Sequence, residues 1–194
     1  MARSVRNPGA SVRARLLILA RERNQPFDLL LTRYVLERLL DRLSRTRYRD
    51  RFVLKGAMLM ATWFADPHRP TRDLDLLGFG DPDPGVVLAV FRDVCAVPAE
   101  DGVAFNLDSV SIDRIREDAV YGGLRLKMAA AVGGARVRVV VTSASATRSS
   151  RGSRIWRCRC CWICRLPGCG PTPARLSSRR SSRPSWRSVG RTLG

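Results

Sequence analysis

The chain has 194 residues, is 45% apolar and 27% charged, and carries a formal net charge of +18. That length suits one domain of ordinary size with a genuine core. No run approaches the ~18 apolar residues of a transmembrane helix, and the start Met-Ala-Arg-Ser-Val-Arg lacks the apolar stretch of a signal peptide, so a cytoplasmic protein without a membrane span is expected.

The charge is an average over two unlike parts. Residues 1–141 hold 23 basic and all 17 acidic residues, an ordinary balance for a globular domain. Within them, Ser11 is expected to cap a helix to about Arg23, with Val12, Leu16, Leu19 and Ala20 on one stripe. Asp28 is expected to cap a second helix, where Leu31, Val35, Leu39 and Leu43 recur at helical spacing. Arg33, Arg38, Arg42 and the arginines to Arg51 read as a solvated face balanced by Glu37 and Asp41, ahead of an RNA-binding face. Residues 52–54 read as a short buried strand, Lys55-Gly56 as a turn, and 57–64 as an apolar helix. His68 sits in a proline-flanked loop, and 72–77 read as another strand. A helix follows Gly85 to about Val97, with Cys95 buried on it. Phe105, 110–112 and 124–132 are strand candidates, and Gly133-Gly134 turns the chain into a strand over 136–141. Helices with five or six strands give an α+β or mixed-sheet α/β domain.

Two features of this half carry chemistry. Lys55-Gly56 stands at a strand-to-helix turn, and Arg72-Asp-Leu-Asp75 follows on the next strand. Residues i and i+2 of a strand share a face, so Asp73 and Asp75 can point at one site. Such a pair can hold magnesium, which takes one or two carboxylates and completes its shell with water and phosphate oxygens. Gly56 removes the Cβ that would block a phosphate, and the helix starting there offers free N–H groups. Lys55 and Arg72 can neutralise further phosphate charge. Metal and anion sites together point to nucleotidyl transfer. The bare D-x-D tripeptide also occurs on solvent-facing strands and in metal-dependent sugar transferases.

The wider sequence resembles the nucleotidyl transferase AbiEii/AbiGii toxin family. The resemblance rests on Phe52-Val-Leu-Lys-Gly-Ala-Met-Leu59 and Arg69-Pro-Thr-Arg-Asp-Leu-Asp-Leu76, with Tyr34-Val-Leu-Glu-Arg-Leu-Leu40 before them and Tyr121-Gly-Gly-Leu-Arg125 after. It implies a nucleotidyltransferase fold similar to that of DNA polymerase β, here C-terminally incomplete, with N-terminal helices over 11–45 and a catalytic sheet from 52. It implies the toxin of a type IV toxin–antitoxin or abortive-infection (phage-defence) system. The implied reaction transfers a nucleoside monophosphate from an NTP to RNA, with tRNA as the leading acceptor and a cognate antitoxin encoded nearby. By that resemblance Gly56, Asp73 and Asp75 bind nucleotide and metal, the two catalytic aspartates holding Mg²⁺, or Mn²⁺ in its place; Lys55 and Arg72, by their charge, are expected to help bind the nucleotide on its phosphate side.

The family also implies a third acid on a later strand, a Glu-Lys motif and a helical C-terminal region, none of which is present. Residues 142–194 instead hold 12 arginines, no lysine, no acid, five of the six cysteines and 11 serines. With no apolar period, this tail is expected to be disordered. Back-translation accounts for its composition. Read one base earlier, Thr (ACN) becomes NAC, which includes Asp; Ser (TCN) becomes NTC, which covers Val, Ile, Leu and Phe; Ala (GCN) becomes NGC, which includes Gly. Residues 142–147 then permit Asp-Val/Ile-Gly-Phe-Gly-Asp, the missing acid motif. Cys and Trp codons become Leu, Val or Met, and 179–184 permit Ala-Glu-Lys-Phe-Glu-Ala. The tail is therefore expected to be out of frame from about residue 141, ahead of a zinc site at Cys161-x-x-Cys164, which lacks a second C-x-x-C or a histidine. An active enzyme and a non-catalytic basic remnant that binds RNA or a partner protein both stay open.

Overall fold

A computed structural model of the chain describes residues 7–63, 71–115 and 123–146. Expectations for Phe64, His68, residues 121–122, and the segment from Thr147 with its cysteines and the 179–184 motif lie outside the described residues.

Helix α1, Pro8–Glu22, starts four residues earlier than a Ser11 cap predicts. Asn7 is its cap: the Asn7 side-chain oxygen accepts from the Ala10 N–H at 3.1 Å, and Pro8 needs no partner at the first helical position. The expected stripe of Val12, Leu16, Leu19 and Ala20 is buried. Helix α2, Phe27–Ser44, follows Pro26; Asp28 lies inside its first turn, where a negative charge favours the dipole without capping.

Helix α2 departs most from expectation. Its basic residues do not form a solvated face: Arg38 and Arg42 are buried, as is Glu37. The Arg42 guanidinium donates to the carbonyls of Cys95 at 3.0 Å and Val103 at 2.7 Å, and to Asp101 Oδ1 at 3.1 Å. It also lies 4.7 Å from the Phe105 ring centroid. Arg33 bonds Glu37 one turn on, at 3.1 Å. Charged side chains enter a core when partners replace their water, and composition cannot reveal those partners.

Strand β1, Phe52–Lys55, runs directly into α3, Gly56–Trp63. Strand β2 is Asp73–Phe79, and α4, Pro84–Ala96, is capped by Asp83, whose Oδ1 accepts from Gly85 and Val86. Cys95 is buried on α4 as expected, and burial pushes its thiol up to about 12. The separate candidates at Phe105 and 110–112 are one strand, β3, Val103–Ile115, with a register shift between Asn106 and Ser111. Strands β4, Gly123–Val132, and β5, Ala135–Ala146, meet at Gly133-Gly134, whose φ values of 54° and 84° suit a tight hairpin turn.

Strand β5 does not stop at Val141. It continues to Ala146, so residues 142–146 of the segment expected to be disordered are paired in the sheet. A central strand is held by ladders on both sides, and main-chain bonds need no apolar period. The five strands lie in the order β1-β2-β5-β4-β3, with β2 and β5 parallel and every other pair antiparallel. This is the mixed α/β architecture expected, compatible with a nucleotidyltransferase fold.

One face of the sheet carries the core. Leu74, Leu76, Val137, Val139, Val141, Leu124, Leu126 and Met128 are all buried there with residues of α1, α2 and α4. The alternate residues face the other way and are half-buried or exposed. Among the described residues, alternation of this kind marks a sheet covered on one side. Among the described residues no helix is long and apolar enough to cross a membrane.

Candidate active site

The site is built on the other face, where β1 turns into α3. Strand β1 pairs antiparallel with β2, which sets Lys55 opposite Asp75. Gly56 comes next, with a φ of 72° in the left-handed region. A Cβ at this position would lie 3.0 Å from both Cβ and Cγ of Asp75 and would overlap its carboxylate. Only glycine satisfies both the dihedral and the contact. The turn and the acidic strand, 18 residues apart in sequence, thus meet at one point.

Asp73 and Asp75 share this face as their spacing predicts. Asp73 is exposed and Asp75 half-buried, while Leu74 between them is fully buried in the core. The buried leucines at 74 and 76 lock the strand against slippage, because a one-residue shift would carry both carboxylates into apolar packing. Two carboxylates with phosphate oxygens and water suffice for a magnesium ion brought in on a triphosphate. Among the described residues, no group of three or more His, Cys, Asp or Glu side chains could hold a metal ion. Asp73 and Asp75 thus fit a magnesium ion whose other ligands come from phosphate and water.

The parallel pairing of β2 and β5 places Thr142 beside Asp75. The row continues to Arg125 on β4 and Asp113 on β3, so Lys55, Asp75, Thr142, Arg125 and Asp113 line up across all five strands. The hydroxyl of Thr142 stands at the register position where the family resemblance called for an acid. Arg72 lies just before β2 and is turned elsewhere: its guanidinium pairs with Asp28 of α2 at 2.7 Å, with both side chains largely exposed. Exposed pairs of this kind contribute about 0–1 kcal/mol, little enough for a phosphate to displace. Of the five expected site residues, Lys55, Gly56, Asp73 and Asp75 converge and Arg72 does not.

The basic residues of β5 belong to no motif. Arg136 and Arg138 alternate with buried valines, which already places both on one face. Only the pairing shows that this face is the one that carries Asp73 and Asp75. Lys127 donates to Asp113 Oδ2 at 2.6 Å, and this hydrogen bond and charge hold the Asp113 carboxyl below its ordinary range.

Residues 38–148 match the family described as nucleotidyl transferase AbiEii toxin, type IV toxin–antitoxin system. That span includes every strand of the sheet and all five expected site residues. No curated protein matches the chain.

Proposed function

The chain belongs to the nucleotidyl transferase AbiEii toxin family of type IV toxin–antitoxin systems, and from that premise we propose that its site serves transfer of a nucleoside monophosphate from an NTP to RNA, tRNA being the leading acceptor. The observation that carries this reading is the contact of Gly56 with Asp75, which packs the strand-to-helix turn directly against the acidic pair. Asp73 and Asp75 would hold Mg²⁺ (or Mn²⁺) on the triphosphate. Bound there, the ion would draw charge from the phosphates and favour ionisation of the acceptor hydroxyl.

The chain's own residues have separable tasks. Gly56 lets the turn come up against Asp75 with no Cβ between them, and the N–H groups that open α3 would donate to the phosphates. Lys55, opposite Asp75, adds positive charge, and Arg72 can join it on leaving Asp28. In the transfer, the acceptor oxygen bonds to the α-phosphorus, the bond to pyrophosphate breaks, and the hydroxyl proton must be accepted. A carboxylate beside Asp75 would be placed to accept it. Thr142 stands there, and a hydroxyl is not a base at neutral pH. Absence of a general base typically costs about 10²–10⁴-fold in rate.

A second reading follows from the same threonine: this chain is a remnant that keeps the fold's front half and binds without turnover. Both readings are accommodated by a one-base frame change near codon 141, which permits Asp in place of Thr142. A cytoplasmic toxin with an antitoxin encoded nearby, acting in phage defence, is the setting that family membership suggests.

Labelled NTPs and bulk RNA test the assignment directly. Asp73→Ala and Asp75→Ala should each abolish Mg²⁺-dependent NTP binding with unchanged thermal melting, since neither removes core volume. Unchanged affinity in both variants would sink the site. UDP-sugars should not compete; if they bind in place of NTPs, the sugar-transferase reading of D-x-D replaces this one. Thr142→Asp should raise transfer over the parent chain, and absence of any transfer until the frame is repaired would establish the remnant.

A further inference from the structure

On the open face of the sheet, four basic side chains form a strip that ends at the acidic pair. Strand β5 runs Arg136, Arg138, Val140, Thr142 on this face, and Val140 pairs with Asp73. Arg138 therefore lies about 7 Å along the strand from the Asp73 row, and Arg136 about 7 Å further. On β4, Lys127 pairs with Val140 and Arg125 with Thr142, so both flank the acidic pair from the far side. Arg125, Arg136 and Arg138 are exposed. Between them the face carries Ala129 and Ala131, which keep its relief low.

Arg125 lies in register with Asp113, but two charges of the strip have no counter-charge among the described residues. Lys127 is engaged by Asp113. Among the described residues no acidic side chain pairs with Arg136 or Arg138. The segment after Ala146 does not supply the missing charge, because it contains 12 arginines and no acid. Guanidinium groups favour phosphate through paired N–H donors, and their two-residue period along β5 is close to the spacing of successive phosphates in a single strand.

We propose that this strip binds the phosphate backbone of a single-stranded RNA end, laid along β5 so that its terminal hydroxyl reaches Asp73 and Asp75. The assignment rests on the nucleotidyl-transfer reading for its direction, and its test is separable from it. An acidic protein segment is the competing occupant. The strip favours RNA because it is narrow, runs along β5 with β4 beside it and points at the carboxylates, whereas a protein surface would need large apolar anchors, and between the strip's charges the described residues offer only Ala129, Ala131 and Val140.

The full chain is cross-linked to a short thiouridine-labelled RNA without secondary structure, and the attachment sites are mapped by mass spectrometry. Cross-links are expected on residues 123–146. Arg136→Gln/Arg138→Gln, both surface changes, should remove them and weaken binding by at least about tenfold, with the salt slope falling by about 1.4 for two lost phosphate contacts. Arg92→Gln, on the exposed side of α4, should change neither. Mg²⁺–NTP affinity should be the same in the double variant and the parent, so a failure of the site at Asp73 is read separately from a failure of the strip. Cross-links confined to residues 147–194 or to the helices would overturn the proposal. So would an equal loss with Arg92→Gln, or displacement of the RNA by an oligoglutamate peptide at matching concentration.

Discussion

Gly56 concentrates two constraints on one residue. Its φ of 72° is strained for any L side chain, by roughly 1–2 kcal/mol, and a Cβ there would collide with Asp75. Gly56→Ala should therefore lower stability by at least about that amount in urea titration. It should also weaken Mg²⁺–NTP binding more than the stability loss explains, because the carboxylate must move. Full NTP affinity in a folded Gly56→Ala protein would show that the close contact does not shape the site. Asp75 itself keeps its place through its neighbours, since Leu74 and Leu76 are 0% and 1% exposed and hold the strand register.

At the scale of elements, helix α2 organises the core through a buried cation. Arg42 ties α2 to the end of α4 through the Cys95 carbonyl and to the start of β3 through Asp101 and Val103. Tyr34, two turns earlier on α2, donates to the Asp101 carbonyl at 2.7 Å, and Asp101 Oδ1 also accepts from the Val103 N–H at 2.9 Å. Arg42→Met removes the charge but leaves Asp101 without its cation and the Cys95 and Val103 carbonyls without this donor. Breaking a buried pair from one side costs about 3–5 kcal/mol, and chemical denaturation should show a loss of that order. Adding Asp101→Asn should recover part of it, because the uncompensated charge is then gone. A loss below about 1 kcal/mol for Arg42→Met would mean that the pair is weakly desolvated.

At the scale of the molecule, β5 is where fold and chain composition disagree. Ser143 is 4% exposed and pairs in register with Leu76 and Leu124, and with Ser145 it lines a cleft beside Phe52, Val87 and Leu124. A buried serine among leucines fills its site poorly. The one-base shift permits valine, isoleucine, leucine or phenylalanine at both positions, residues that would fill this cleft. Gly78 leaves room for the larger side chain, for a Cβ at Gly78 would sit 2.9 Å from Ser143 Oγ. Ser143→Val should raise the melting temperature, with a gain of about 1 kcal/mol for the added apolar burial. A gene repaired by one base near codon 141 should yield a more stable protein with measurable transfer, since it changes the cleft and the Asp75 partner together. Equal rates from repaired and unrepaired chains would refute the frame reading and leave Thr142 as a tolerated residue.

Much of this was legible in sequence because it depends on local rules. The period of two across Asp73, Leu74 and Asp75 determined that both acids share a face. The glycine pair at 133–134 determined a hairpin, and the apolar stripe of α1 determined its buried side. Other features depend on neighbours far along the chain. Which residues cap α1 and α2 turned on a single side-chain bond at Asn7 and on Pro26. The burial of Arg38 and Arg42 was decided by tertiary packing; for Arg42, partners on α4 and before β3 replace its water. The parallel pairing of β2 with β5 was likewise a tertiary matter, because ladder hydrogen bonds join backbones with little regard to side chains. That pairing, more than any motif, sets a threonine hydroxyl beside Asp75 and a row of arginines on the approach to it.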